Sequence, residues 1–236
     1  MSRVRSSLVL AMVFLLGAAL VAAAAAQAAE GRAGGARRRL GIMDWRASIS
    51  FLLSQEQVQK ELKLNEEQTG KVKEMVQKLR EEMREQWTSL REITDQEKQW
   101  AKMAELSDQM NRKARTQLQD VISREQMRRL YQIRMQVRGP AYTLNSKRTA
   151  SRLKLTDEQR KKLAEIDKDL QQKVSEAMKG FRDLSQEERG KRFAELGKLW
   201  QKANQGALKL LTAEQKEAFE KMQGKKFELP MRRPGG

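Results

Sequence analysis

Between residues 66 and 93 apolar side chains recur every three or four positions: Val72, Met75, Val76, Leu79, Met83, Trp87 and Leu90 fall on one stripe. That spacing is the mark of an amphipathic helix, which turns about 100° per residue. Lys73, Arg80, Arg84 and Arg91 make a second, basic stripe beside the first, and Glu67, Glu74, Glu81, Glu85 and Glu92 a third farther round. The apolar stripe needs a partner helix to cover it, and the basic stripe meets it at a seam near Val76 and Trp87. The same reading predicts long helices over 66–93, 95–121, 157–184 and 186–210, with shorter ones before and after each pair.

Helix starts are marked by capping boxes, in which a Ser, Thr or Asn stands three residues before Gln or Glu. Each such cap satisfies free N–H groups of the first turn and contributes about 1 kcal/mol. Ser54/Gln57, Asn65/Gln68, Thr94/Glu97, Ser123/Gln126, Thr156/Gln159, Ser185/Glu188 and Thr212/Gln215 all have this spacing. Ile122 and Met127 stand where a hydrophobic staple would close over its cap. Gly139 and Gly224 are expected C-terminal caps.

The chain also repeats itself. Residues 62–68, LKLNEEQ, match residues 153–159, LKLTDEQ, and Ile122-Ser123-Arg124-Glu125-Gln126 matches Leu211-Thr212-Ala213-Glu214-Gln215. Val72, Met75, Leu79, Leu90 and Ile93 align with Leu163, Ile166, Leu170, Phe181 and Leu184. Two helical units are expected, 52–138 and 144–224, with a linker at 139–143 where Gly139-Pro140 breaks the pattern.

Outside these units the chain changes character. Arg3 and Arg5 precede an apolar run from Leu8 to Ala25, and Ala26-Gln27-Ala28 fits a small-residue cleavage site. Residues 1–28 therefore read as a secretory signal peptide cleaved near Ala28, the alternative being an uncleaved anchor. Residues 29–51 read as a flexible basic lead-in carrying Arg37, Arg38 and Arg39, and 225–236 as a basic Pro/Gly tail.

Composition narrows the chemistry. The 236 residues include 48 Lys+Arg against 31 Asp+Glu, no His and no Cys, and only 3 Pro. Absence of Cys removes disulfides and thiolate nucleophiles, and absence of His removes the commonest base and metal ligand. No phosphate-cradling glycine loop, nucleophile elbow or metal-ligand cluster is present, so no enzymatic activity, metal or cofactor is expected. Cleavage after residue 28 takes the formal charge from +17 to +15, because Arg3 and Arg5 leave and no acid does. That sign suits nucleic acid, but the charge is mixed with acids and no nucleic-acid motif is present, so none is expected as a partner.

At its repeated motifs the sequence resembles the LTxxQ family of periplasmic proteins typified by Spy and CpxP. Residues 153–166, LKLTDEQRKKLAEI, and 211–222, LTAEQKEAFEKM, are similar to the two signature segments. Residues 62–75 and 122–133 are looser copies, with Asn65 in place of Thr and Ile122-Ser123 in place of Leu-Thr. The resemblance implies an all-α protein of long helical hairpins. Here the two tandem repeats would form one elongated, curved cradle within a single chain, giving a monomeric pseudo-dimer or a homodimer. It implies an exported, periplasmic, ATP-independent chaperone that binds unfolded or partly folded envelope proteins under stress. The alternative is a regulatory or structural protein binding one dedicated partner, such as a membrane stress-sensor domain.

Within that frame Leu64, Asn65, Gln68, Ile122, Ser123, Gln126, Leu155, Thr156, Gln159, Leu211, Thr212 and Gln215 are expected to shape helix starts. Seam residues Arg80, Arg84, Trp87, Arg91, Met178 and Arg182 are the candidates for client contact. Cations there would draw in acidic unfolded chains and apolar neighbours would hold them. The basic lead-in is a candidate for weak contact with an anionic envelope surface.

Overall fold

The computed structural model describes residues 45–229, apart from the side chains of Trp45, Gln96, Glu97, Trp100 and Arg182. The expected signal peptide and Arg37, Arg38 and Arg39 of the lead-in lie outside the described residues, as does the tail from residue 230. Among the described residues every regular element is helical, and none is long and apolar enough to cross a membrane.

After a 3-10 turn at Trp45–Ala47 come α1 (Ile49–Leu53), α2 (Glu56–Glu61), α3 (Glu66–Glu82) and α4 (Arg84–Ser89). A 3-10 turn at Leu90–Glu92 leads to α5 (Gln96–Leu118) and α6 (Arg124–Arg138). Next are α7 (Pro140–Leu144), α8 (Lys147–Arg152) and α9 (Asp157–Ala177). A 3-10 turn at Phe181–Asp183 precedes α10 (Gln186–Lys209) and α11 (Ala213–Gln223).

Five capping boxes form as the spacing predicts, at Asn65/Gln68, Ser123/Gln126, Thr156/Gln159, Ser185/Glu188 and Thr212/Gln215. Two do not. Ser54 instead ends α1, its hydroxyl donating to the Phe51 carbonyl at 2.7 Å. At α5 the cap is Asp95, one residue beyond Thr94, whose carboxylate accepts the Lys98 N–H at 3.0 Å. Ile122 is buried with Met127 packed on the same core, as a staple requires. Gly139 and Gly224 end α6 and α11 at positive φ.

Three stretches expected to be loose are packed. Residues 45–51 of the expected lead-in turn inward: Ala47 and Ile49 are buried, Arg134 Nε donates to the Ala47 carbonyl at 2.8 Å, and the Ile49 N–H donates to Asn111 Oδ1 at 2.9 Å. The expected linker is helix α7, with Pro140 at its first position, where its missing N–H costs nothing. It buries Ala141 and Leu144, and the Ala141 N–H donates to Asn204 Oδ1 at 3.0 Å. Residues 225–229 of the expected tail run back along α6. Gln136 donates to the Gln223 and Lys225 carbonyls and accepts from the Phe227 N–H, while Phe227 and Leu229 pack on the core of residues 49–133. In each case apolar side chains too few to show a period still find a surface to cover.

The core falls into three clusters. One gathers Leu52, Leu53, Val72, Leu79, Leu118, Leu130 and Ile133 from α1, α3, α5 and α6. The second gathers Leu144, Leu163, Leu170, Leu196, Ala207 and Phe219 from α7, α9, α10 and α11. A smaller third, Met83, Leu90 and Leu106, lies where α4 meets α5.

The motif glutamines join the helices. Gln68 Nε2 donates to Gln126 Oε1 and Gln126 Nε2 to Gln68 Oε1, both at 3.0 Å, a reciprocal amide pair between α3 and α6. Each oxygen also accepts its own cap N–H, from Asn65 and Ser123. Each nitrogen gives its second hydrogen to a carbonyl of the facing turn, Val121 for Gln68 and Lys63 for Gln126. Gln159 and Gln215 pair in the same way at 2.7 and 3.1 Å, with Leu210 and Leu153 as the outer carbonyls. Every donor and acceptor of these amides is used.

The turn before each first motif is also the same. Lys63 and Lys154 have φ of 51° and 49°, a conformation unusual for a residue with a Cβ. The Leu64 N–H reaches the Gln59 carbonyl and the Leu155 N–H the Ala150 carbonyl at 3.1 and 3.0 Å, closing α2 and α8 with Schellman turns.

One carboxyl in the second half departs strongly from its usual behaviour. Burial pushes Asp167 up to about 6 from 3.8, and its bond to Gln171 at 2.5 Å only partly opposes this. The folded chain then holds a proton that the unfolded chain has released between those values. The contribution of Asp167 to stability therefore falls as pH rises from about 4 to about 6 and is flat above, opposite in sign to that of the lowered glutamates such as Glu67 and Glu158.

Urea unfolding of three variants checks these bonds and this carboxyl. Gln159→Glu keeps an acceptor for the Thr156 cap but has no hydrogen for the Leu210 carbonyl or Gln215, and is expected to cost about 1–3 kcal/mol. Glu188→Gln, in a capping box with no partner across helices, is expected to be within about 0.5 kcal/mol of the parent. Asp167→Asn is expected to make stability rise more steeply, or fall less, between pH 4 and 6 than in the parent, and an unchanged slope would show that Asp167 makes no such contribution.

Candidate functional site

The site is built where the first long helix departs from its expected course. The periodicity predicts one helix to residue 93, but α3 ends at Glu82. Met83 bends away with φ −100° and ψ 1° while its side chain is buried at 2% exposure. Beyond the bend, Thr88 and Ser89 hydroxyls bond back to the Arg84 and Gln86 carbonyls, and such competing bonds weaken a helix near its end. The basic stripe crosses the bend without interruption, because Arg80, Arg84 and Arg91 keep helical spacing with Trp87 between them.

Arg80, Arg84, Trp87, Thr88 and Arg91, with Met110 from α5, line an open groove of ≈ 300 Å³. Four of the six seam residues named from sequence are thus brought together. Its floor is apolar: Trp87 and Met110 are half-buried against Met83, Leu90 and Leu106, joined by Ile93 and Met103. Its rim is cationic, since the three arginines are exposed.

Two lysines of α3 are paired within their own helix, unlike these arginines. Lys71 pairs with Glu67 at 2.5 Å and Lys78 with Glu74 at 2.8 Å, holding Glu67 and Glu74 below the usual carboxylate range through those side-chain bonds. Among the described residues none of Arg80, Arg84 and Arg91 has an ion-pair partner. A guanidinium beside an indole presents a planar fork for carboxylates and a flat face for stacking, which lysine cannot supply. The groove can therefore hold an acidic group and an apolar side chain of the same peptide together, with no covalent chemistry.

The other two seam residues are not in this groove. Met178 caps the C-terminus of α9 and packs, half-buried, on the second core cluster. Arg182 stands in the 3-10 turn after α9, and its side chain lies outside the described part. Nearby is a group absent from the sequence reading. Phe193 is 53% exposed, and its ring meets Phe181 edge-on at 5.1 Å. Phe193 lies on the apolar stripe of α10 with Leu196, Trp200 and Ala203, so the periodicity carried the signal. It is uncovered because α9 stops at Ala177, whose carbonyl accepts from Arg192 at 2.7 Å.

The twelve motif residues sit away from the groove and do structural work. Ile122, Leu155 and Leu211 are buried and Leu64 is half-buried, while the caps and glutamines make the bonds described above. Among the described residues no group of three or more acidic side chains is placed to hold a metal ion.

No protein-family model, no curated protein and no solved structure matches this chain.

Proposed function

We propose that this protein is an exported, ATP-independent chaperone that binds unfolded or partly folded polypeptides, built from two tandem LTxxQ-like units forming one curved cradle. The observation that carries the reading is the groove at the α3–α4 bend, where three arginines with no counter-ion among the described residues surround Trp87 over an apolar floor. Unpaired surface cations act at a distance of about 8 Å in physiological salt and attract acidic stretches of an unfolded chain. The indole and Met110 then give that chain somewhere to leave an apolar side chain. The groove is shallow and open, so contacts stay weak and exchangeable, which suits release without nucleotide.

The duplicated, pseudo-dimeric architecture is supported by the two identical glutamine clasps and by the lysines at positive φ in equivalent turns. Placement in the periplasm rests on the leader sequence and the LTxxQ resemblance.

The test is light scattering of a chemically unfolded client diluted into buffer with the mature protein and no ATP, at low and high salt. Suppression at near-stoichiometric ratios that weakens with salt is expected. Reversing Arg80, Arg84 and Arg91 to Glu is expected to abolish most of it without loss of helical signal. Absence of suppression at both salts by the folded protein would overturn the reading in favour of a dedicated-partner protein.

A further inference from the structure

The two halves differ at one crossing. In the first half, Lys113 of α5 pairs with Glu82 of α3 at 2.6 Å, so a salt bridge spans the two long helices. The corresponding position in the second half depends on the mark used. Counting from Asn111 and Asn204, which accept the Ile49 and Ala141 N–H groups, it is Gly206; counting back from the Ser123 and Thr212 caps, it is Lys202. Lys173 stands 91 residues after Glu82, the offset that separates Lys63 from Lys154. In either register a lysine, Lys173, stands where Glu82 stands in the first half, and among the described residues no ion pair spans α9 and α10.

The consequence is a groove of ≈ 400 Å³ between α9 and α10. Ile166, Leu170, Leu199 and Ala203 form its apolar lining, and Gly206 lines it beside Ile166. A glycine inside a helix costs about 1 kcal/mol relative to alanine. The backbone does not demand one here, because Gly206 lacks positive φ, and an added Cβ would meet Ile166 Cδ1 at 3.4 Å, close to ordinary contact. The bare backbone of Gly206 forms part of the groove wall, where a long side chain would have to enter the groove or displace Ile166.

Charge says what fits that space. Lys173, Lys202 and Lys209 stand at its edge. Asp169 pairs with Lys173 at 2.7 Å, but among the described residues Lys202 and Lys209 have no ion-pair partner. An apolar trough of small-ligand size with surplus cations along one side is complementary to an alkyl chain ending in an anion.

We propose that the α9–α10 groove binds a free anionic amphiphile with a single alkyl chain, of the fatty-acid class. Its chain would lie across Ile166, Leu199 and the open face of Gly206, and its carboxylate would be held by Lys202 and Lys209. This site is separate from the arginine groove of the first half and does not rest on the chaperone reading.

The test is calorimetric titration of the full mature chain with dodecanoate below its micelle concentration, with dodecanol as the uncharged control. Saturable binding with one ligand per chain is expected, and much weaker binding of the alcohol. Gly206→Leu, which fills the trough, and the surface pair Lys202→Gln/Lys209→Gln, which leaves the packing intact, are each expected to weaken binding about tenfold or more. Arg84→Ala is expected to leave it unchanged. Affinity that survives both the glycine and the lysine variants, or is lost with Arg84→Ala, would overturn the proposal. So would binding only to vesicles containing anionic phospholipid and not to free dodecanoate.

Discussion

Two pairs of glutamines hold this molecule in register. A side-chain amide is the one group that can accept from its own helix cap, accept from a second amide, and still donate twice to the facing helix. Gln68 with Gln126 and Gln159 with Gln215 use all of those capacities at once. Each clasp ties the start of a long helix to the start of the final helix of its half. It also satisfies carbonyls in the turns that lead into both. Because every partner is specified, neither helix can slide or rotate without breaking several bonds. The hydrophobic clusters on either side then pack against helices whose phase is already set.

With the phase set at the clasps, helix length decides what is exposed. In the first half the bend at Met83 turns α4 so that Leu90 can meet Leu106, and the arginines of the stripe rim the hollow that results. In the second half α9 ends at Ala177, short of the apolar stripe on α10, and Phe193 is left in solvent beside Phe181. The surfaces available for binding are thus places where a stripe outruns its cover.

The halves are alike in how they are held and unlike in what they present. Clasps, Schellman turns and asparagine bonds to the first short helix recur, and these concern backbone groups that must be satisfied wherever they are buried. Side chains at the crossing of the long helices are free of that obligation. One half carries a Glu–Lys bridge there, and the other a lysine, Lys173, in place of the glutamate. Arginines around an indole belong to the first half, and lysines around an aliphatic trough to the second.

The sequence by itself determined that the described chain is helical, where most helices begin, and which residues form the basic stripe beside Trp87. These are local properties, since apolar period, cap spacing and stripe angle need only neighbours within two turns. It failed at residues 45–51, 139–143 and 225–229, where short segments are ordered by surfaces made of distant residues such as Asn111, Asn204 and Gln136. It named the four arginine-groove residues but not Thr88 or Met110, and it grouped Met178 with them although that side chain packs elsewhere. Only the tertiary structure decided that the motif glutamines pair with each other, that α3 bends at Met83, and that Gly206 lines a trough. Each of those depends on which atoms of another helix arrive opposite, and helical periodicity carries no record of them.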